Sequence, residues 1–252
     1  MTNKYSFKVV GLERKTVAQI IAVATNHPVK YAGPPTFAYE VGEVLIDRGG
    51  MITIPFDETI AIILSALHEN GTEPDGDAAI TIAMGEHTGV SLRNLINLIY
   101  SKDELLRNSL GRDEPLLPFT LIELINSVKL EQVEDFKECI EGQDTGGIKF
   151  DFINNTLGFN FYKATLDIEQ VKTHLAFSTL LEAQAIKQKH SSVQQKKKGN
   201  EKYAMRCWLL RLGMIGDDYK VERKILLEKL TGNCSFGTDE ALQRAFAKRK
   251  TA

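Results

Sequence analysis

Ile148-Lys149-Phe150-Asp151-Phe152, then Asn154-Asn155, then Thr156-Leu157-Gly158-Phe159-Asn160-Phe161-Tyr162 is the stretch that decides the fold. Both flanks alternate with the two-residue period of a half-buried strand, and asparagine tolerates the positive φ of a tight turn. The segment reads as a β-hairpin. What precedes it reads as helix. Leu92, Leu95, Ile96, Ile99, Leu105 and Leu106 form an apolar stripe, with Ser91 as the expected N-cap. Two further helical stretches, Phe119–Val128 and Leu130–Glu141, follow Pro115 and Pro118. After the hairpin, Thr165 or Asp167 caps a helix that runs to about Lys187.

The N-terminal part has the same texture. Tyr5–Val10 alternates as a strand, and Val17, Ile20, Ile21 and Ala24 fall at helical spacing. Thr36–Val41, Glu43–Asp47 and Met51–Ile54 read as short strands. Ile60, Ile63, Leu64 and Leu67 mark a second helix closed at Asn70-Gly71. Thr72–Asp77 is rich in Gly, Pro and Asp and reads as a linker; Ala79–Met84 then restarts the pattern as a strand. The predicted class is α+β: two tandem strand-helix-strand-strand-helix units, 1–75 and 78–187, with duplication as one expectation. A basic helix pair completes the chain.

The formal charge of −2 hides a division. Residues 1–186 carry 15 Lys+Arg against 26 Asp+Glu, and residues 187–252 carry 16 against 7. Residues 188–202 have almost no apolar content and read as a solvated tether containing Lys196, Lys197 and Lys198. Residues 203–236 form a helix-turn-helix-like module. Met205, Trp208, Leu209 and Leu212 face inward on its first helix, and Ile225, Leu226 and Leu230 on its second. Its polar faces carry Arg206, Arg211, Lys220, Arg223 and Lys224, and 237–252 is a cationic tail. A helix pair with basic faces suits phosphate contacts, while Lys and Arg on solvated helix faces are also ordinary.

The stretch Tyr203-Ala204-Met205-Arg206-Cys207-Trp208-Leu209-Leu210-Arg211-Leu212-Gly213-Met214-Ile215-Gly216-Asp217-Asp218-Tyr219-Lys220 resembles the C-terminal block of bacterial virulence-related proteins. So do its continuations Arg223–Leu227 and Leu230–Asn233. Lys4–Glu13, Pro35–Gly42 and Gly147–Phe152 are similar to the same family. The resemblance implies a setting near mobile elements and no defined chemistry. The same tail resembles the end of some amidoligase-like proteins, but no ligase nucleotide site accompanies it, so no catalytic residue is carried over.

Catalytic signals are thin. Glu86-His87-Thr88-Gly89 sits between strand and helix, where helix N-terminal amides bind anions. His27, His68, His174 and His190 share no metal-ligand spacing with one another or with cysteine. No phosphate-binding Gly-rich Lys-Ser/Thr loop, serine elbow or zinc His-Glu-x-x-His motif is present. Three distant cysteines and no 18-residue apolar run predict a cytoplasmic protein without a membrane span. The N-terminus reads as the lead-in to a strand, with no signal peptide expected. The expected function is non-catalytic interaction, with no cofactor or metal. The expected partner is nucleic acid or another protein, through the basic C-terminal module. An oligomer formed when the acidic body of one copy meets the basic tail of another is a further expectation. The alternative is an enzyme or small-ligand binder with its site between the two α+β halves.

Overall fold

The computed structural model describes residues 3–195 and 199–237. The fold is α+β. The chain divides into two compact units, residues 1–85 with 147–179 and residues 86–146 with 180–252. The middle of the chain is thus an insertion into the first unit, and the cut expected near residue 76 falls within a strand.

The first unit holds one antiparallel sheet. In chain order its strands are β1 (Lys4–Val10), β2 (Val29–Tyr31), β3 (Tyr39–Val41), β4 (Val44–Ile46), β5 (Ile52–Pro55), β6 (Glu73–Ala83), β7 (Ile148–Asp151) and β8 (Thr156–Lys163). They lie in the order β2-β3-β4-β5-β1-β6-β8-β7. Strands expected in two tandem repeats therefore join one sheet. The helices α1 (Arg14–Thr25) and α2 (Ile60–Glu69) belong to this unit, as does the start of α7 (Ile168–Lys187). Tyr5, Phe7, Ile54, Ile80 and Phe159 are fully buried, while alternate positions such as Ser6 and Thr53 are half-buried. That is the one-sided pattern of an antiparallel sheet covered by helices on one face. The Tyr5 hydroxyl donates to the carbonyl of Thr165 and accepts its N–H, each at 2.9 Å, which removes three buried polar groups from need.

The expected linker at Thr72–Asp77 is the first half of β6. Glu73, Pro74 and Asp75 pair with Val10, Val9 and Lys8 of β1. The β1–β6 register then shifts between Ser6 and Lys8, where Gly76 adopts φ +64°. A bulge of this kind uses the turn-like residues that made the segment look like a loop. The β7–β8 hairpin is as expected, with Asn155 at φ +51°. Asp151 also closes its loop, accepting the N–H groups of Ile153 and Asn154 and the Asn154 side-chain amide. The Asn154 bonds hold the Asp151 carboxyl below its ordinary range.

The second unit is helical among its described residues. It comprises α3 (Gly89–Tyr100), α4 (Asp103–Leu110), α5 (Phe119–Ser127), α6 (Val133–Ile140), the end of α7, α8 (Glu201–Leu212) and α9 (Lys220–Leu227). Leu92, Leu95, Ile96 and Ile99 of α3 are buried, as are Leu121, Ile122 and Ile125 of α5. The N-cap of α3 is Thr88 rather than Ser91. Ser91 is the third helical residue, and the two close a capping box, with Thr88 N–H on Ser91 Oγ at 2.8 Å and Ser91 N–H on Thr88 Oγ1 at 3.2 Å. A Cβ on Gly89 would lie 2.4 Å from the carbonyl oxygen of Gln132, so only glycine fits that close approach.

The helix pair α8–α9 is fastened inside this unit. Ser109 Oγ on α4 donates to the carbonyl of Leu226 at 2.6 Å. Asn108 donates to Glu201 Oε1 at 2.6 Å, and Glu201 Oε2 accepts both the N–H and hydroxyl of Thr231. Gly213 ends α8 in the left-handed region at φ +108°.

Candidate functional site

Of the segment expected to be a tether, residues 188–195 are instead bound. Residues 188–195 form no helix or strand, yet Asn94 and Asn97 of α3, both buried, hold them. Asn94 donates to the carbonyl of Gln188 at 2.8 Å and accepts the N–H of Ser191 at 3.0 Å. Asn97 donates to the carbonyl of Ser191 at 3.3 Å and exchanges hydrogen bonds with the side chain of Asn126. Gln195 donates to the carbonyl of Tyr100 at 3.0 Å. The segment has too little apolar surface to order itself, but the buried amides of α3 need partners and its backbone supplies them.

This strap forms one wall of a cleft of about 630 Å³ inside the second unit. The junction of α3 and α4, the end of α7 and one side of α8 form the rest. Lys102, His190 and Arg211 bring positive or protonatable groups to it. Gln184, Gln188 and Gln194 bring amides, and Tyr203 and Trp208 bring rings. Among the described lining residues there is no Asp or Glu, although the chain has 33 of them. A described lining without carboxylates but with the Arg211 guanidinium attracts anions rather than repelling them.

The expected site residues separate into groups. Arg211 is exposed and lines the cleft. Arg206 is exposed but five residues away on α8, about 140° around the helix, and does not line it. Lys220 and Lys224 are exposed one turn apart on α9. Arg223 is taken up by the turn between the helices. Its Nη1 donates to the carbonyl of Met214 at 2.8 Å and its Nη2 to that of Gly216 at 2.9 Å. Its charge caps the carbonyls left by the turn. Lys196, Lys197 and Lys198 lie outside the described residues.

The Glu86–Gly89 turn is not an open anion site. The His87 side chain is fully buried, with Nδ1 2.9 Å from Ser91 Oγ and Nε2 3.6 Å from Glu182 Oε1. The helix N-terminus beside it is occupied by the capping box. Among the described residues, no three His, Cys, Asp or Glu side chains are grouped to hold a metal ion. Cys139, Cys207 and Cys234 are free thiols, and burial pushes that of Cys139 up. Among the described residues, no helix is long and apolar enough to cross a membrane.

Sequence reading missed Lys102, which carries no local signal, and the asparagines that build the strap. Those had one: Asn94 and Asn97 interrupt the apolar face of a helix that otherwise buries leucine and isoleucine. No protein-family model matches the chain, and no curated protein matches it.

Proposed function

We propose that the protein is a non-catalytic interaction protein whose helical unit contacts the phosphate backbone of nucleic acid. One observation carries this reading. Arg206, Arg211, Lys220 and Lys224 are exposed, and none of the four makes a hydrogen bond or ion pair among the described residues. Cations answering the acidic body of their own chain would be paired with carboxylates. Unpaired cations on rigid helices are what counterion-releasing phosphate contacts use. The cleft beside Arg211, whose described lining holds no Asp or Glu, extends the same electrostatic character. The mobile-element setting implied by the virulence-related resemblance agrees with such a role and adds no chemistry to it. Three free cysteines support a reducing, cytoplasmic location.

The test is binding of a fluorescein-labelled DNA duplex by the full chain across a salt series. Arg206→Gln/Lys220→Gln/Lys224→Gln is the decisive variant, because it removes charge without touching the cleft. Weakened binding with a shallower salt dependence supports the proposal; binding equal to the parent's, or absent from the parent, contradicts it.

A further inference from the structure

We infer that the cleft of the second unit is a binding site for a phosphorylated nucleoside, either a free mononucleotide or the phosphorylated end of a strand. The inference shares Arg211 with the proposed function but not Arg206, Lys220 or Lys224, which are not among the cleft residues.

Three features define the ligand. The first is charge. The Arg211 guanidinium is a planar fork that grips phosphate with two parallel hydrogen bonds, and it has no partner among the described residues. Lys102, whose Nζ also bonds Ser101, adds a second cation, and the described lining holds no Asp or Glu. A terminal phosphate monoester carries close to two negative charges at neutral pH and suits two cations better than the single charge of a backbone diester. The second feature is the wall. Leu98, Leu105, Tyr203 and Trp208 supply apolar and aromatic surface for a flat ring, which a bare phosphate would leave unused. The third is the polar rim. Gln184, Gln188 and Gln194 each offer both donors and an acceptor, the combination that a base edge requires.

The site is built in advance. Asn94 and Asn97 fix the strap that carries Gln188, His190 and Gln194. Asn200 caps α8 through the N–H of Tyr203 at 3.1 Å, which sets the start of the opposite wall. Fixing both walls before binding lowers the ordering cost of a ligand. The volume falls within the ~300–1,000 Å³ of small-molecule sites.

Trp208, the single tryptophan of the chain, lines the cleft and reports on it by fluorescence. The full-length protein is titrated with AMP, GMP, CMP and UMP, with inorganic phosphate and with adenosine. A short oligonucleotide is titrated with and without a 5′-phosphate. A saturable Trp208 response to a mononucleotide, exceeding that to phosphate or adenosine, supports the site with a free nucleotide as its source. A response only to the 5′-phosphorylated oligonucleotide supports a strand end. Arg211→Gln weakens the response by about tenfold or more while the melting temperature stays at the parent value, and Lys102→Gln weakens it as well. Arg206→Gln/Lys220→Gln/Lys224→Gln leaves it unchanged, which separates this site from the duplex-binding surface. No saturable response at millimolar ligand overturns the inference. So does a response unaffected by both cleft substitutions, or one to the oligonucleotide that ignores its 5′-phosphate.

Discussion

The side-chain carbonyl of Asn94 accepts the backbone N–H of Ser191 at 3.0 Å, joining a buried helical residue to a segment nearly a hundred positions away. The amide of the same side chain holds the carbonyl of Gln188. One asparagine therefore fixes both ends of a turn of irregular backbone. Asn94→Ala leaves an N–H and a carbonyl without their partner, at about 1–3 kcal/mol for each group that water does not reach. Urea unfolding is expected to show a loss of about 2 kcal/mol or more, and limited proteolysis to open first within residues 188–195. Unchanged stability would mean that the strap is not held by this bond.

Arg223 and Lys224 are neighbours with different roles. Arg223 bonds two carbonyls in the turn between α8 and α9, whereas Lys224 is exposed. Arg223→Gln is expected to cost about 1–2 kcal/mol in chemical unfolding. Lys224→Gln is expected to stay within about 0.5 kcal/mol of the parent and to act on nucleic-acid affinity instead. Equal stability losses would remove this division of labour.

Glu201 gives the attachment of α8 a pH dependence. Burial pushes its carboxyl up, but the bonds from Thr231 and Asn108 outweigh burial and the net shift is downward. A carboxylate whose folded pKa lies below its unfolded value stabilises the fold above the unfolded value, and that stability is lost as pH falls through the folded one. Glu201→Gln is therefore expected to be less stable than the parent near neutral pH, by about 0.5–1 kcal/mol for so accessible a group. The difference should shrink towards zero as pH falls through the lowered pKa of the Glu201 carboxyl. A difference that is constant with pH would assign the effect to packing.

The periodic parts of this protein are legible in its sequence. The β7–β8 hairpin, the α3 stripe and the α8–α9 pair follow from alternation and helical spacing, which local residues determine. What was not legible depends on distant partners. Glu73–Asp77 looks like a linker, because bulge-forming Gly76 and Pro74 share their chemistry with turns; only pairing with Lys8–Val10 makes the segment a strand. Residues 188–195 look like a tether, because their order resides in the asparagines of α3. The basic residues were visible as a set, but not their separation. Arg211 faces a cleft whose other cation, Lys102, comes from a helix junction more than a hundred residues earlier. Arg223 is consumed by carbonyls that the turn leaves open.

We propose that cations of the helical unit with no partner among the described residues contact nucleic-acid phosphates. The most direct test of that contact is the slope of log affinity for duplex DNA against log salt, for the parent and for Arg206→Gln/Lys220→Gln/Lys224→Gln. Each lost phosphate contact flattens the slope by about 0.9, so the account predicts a flattening of about 1–3 together with weaker binding at every salt concentration. Parallel slopes for the two proteins, or no salt-dependent binding by the parent, would contradict it.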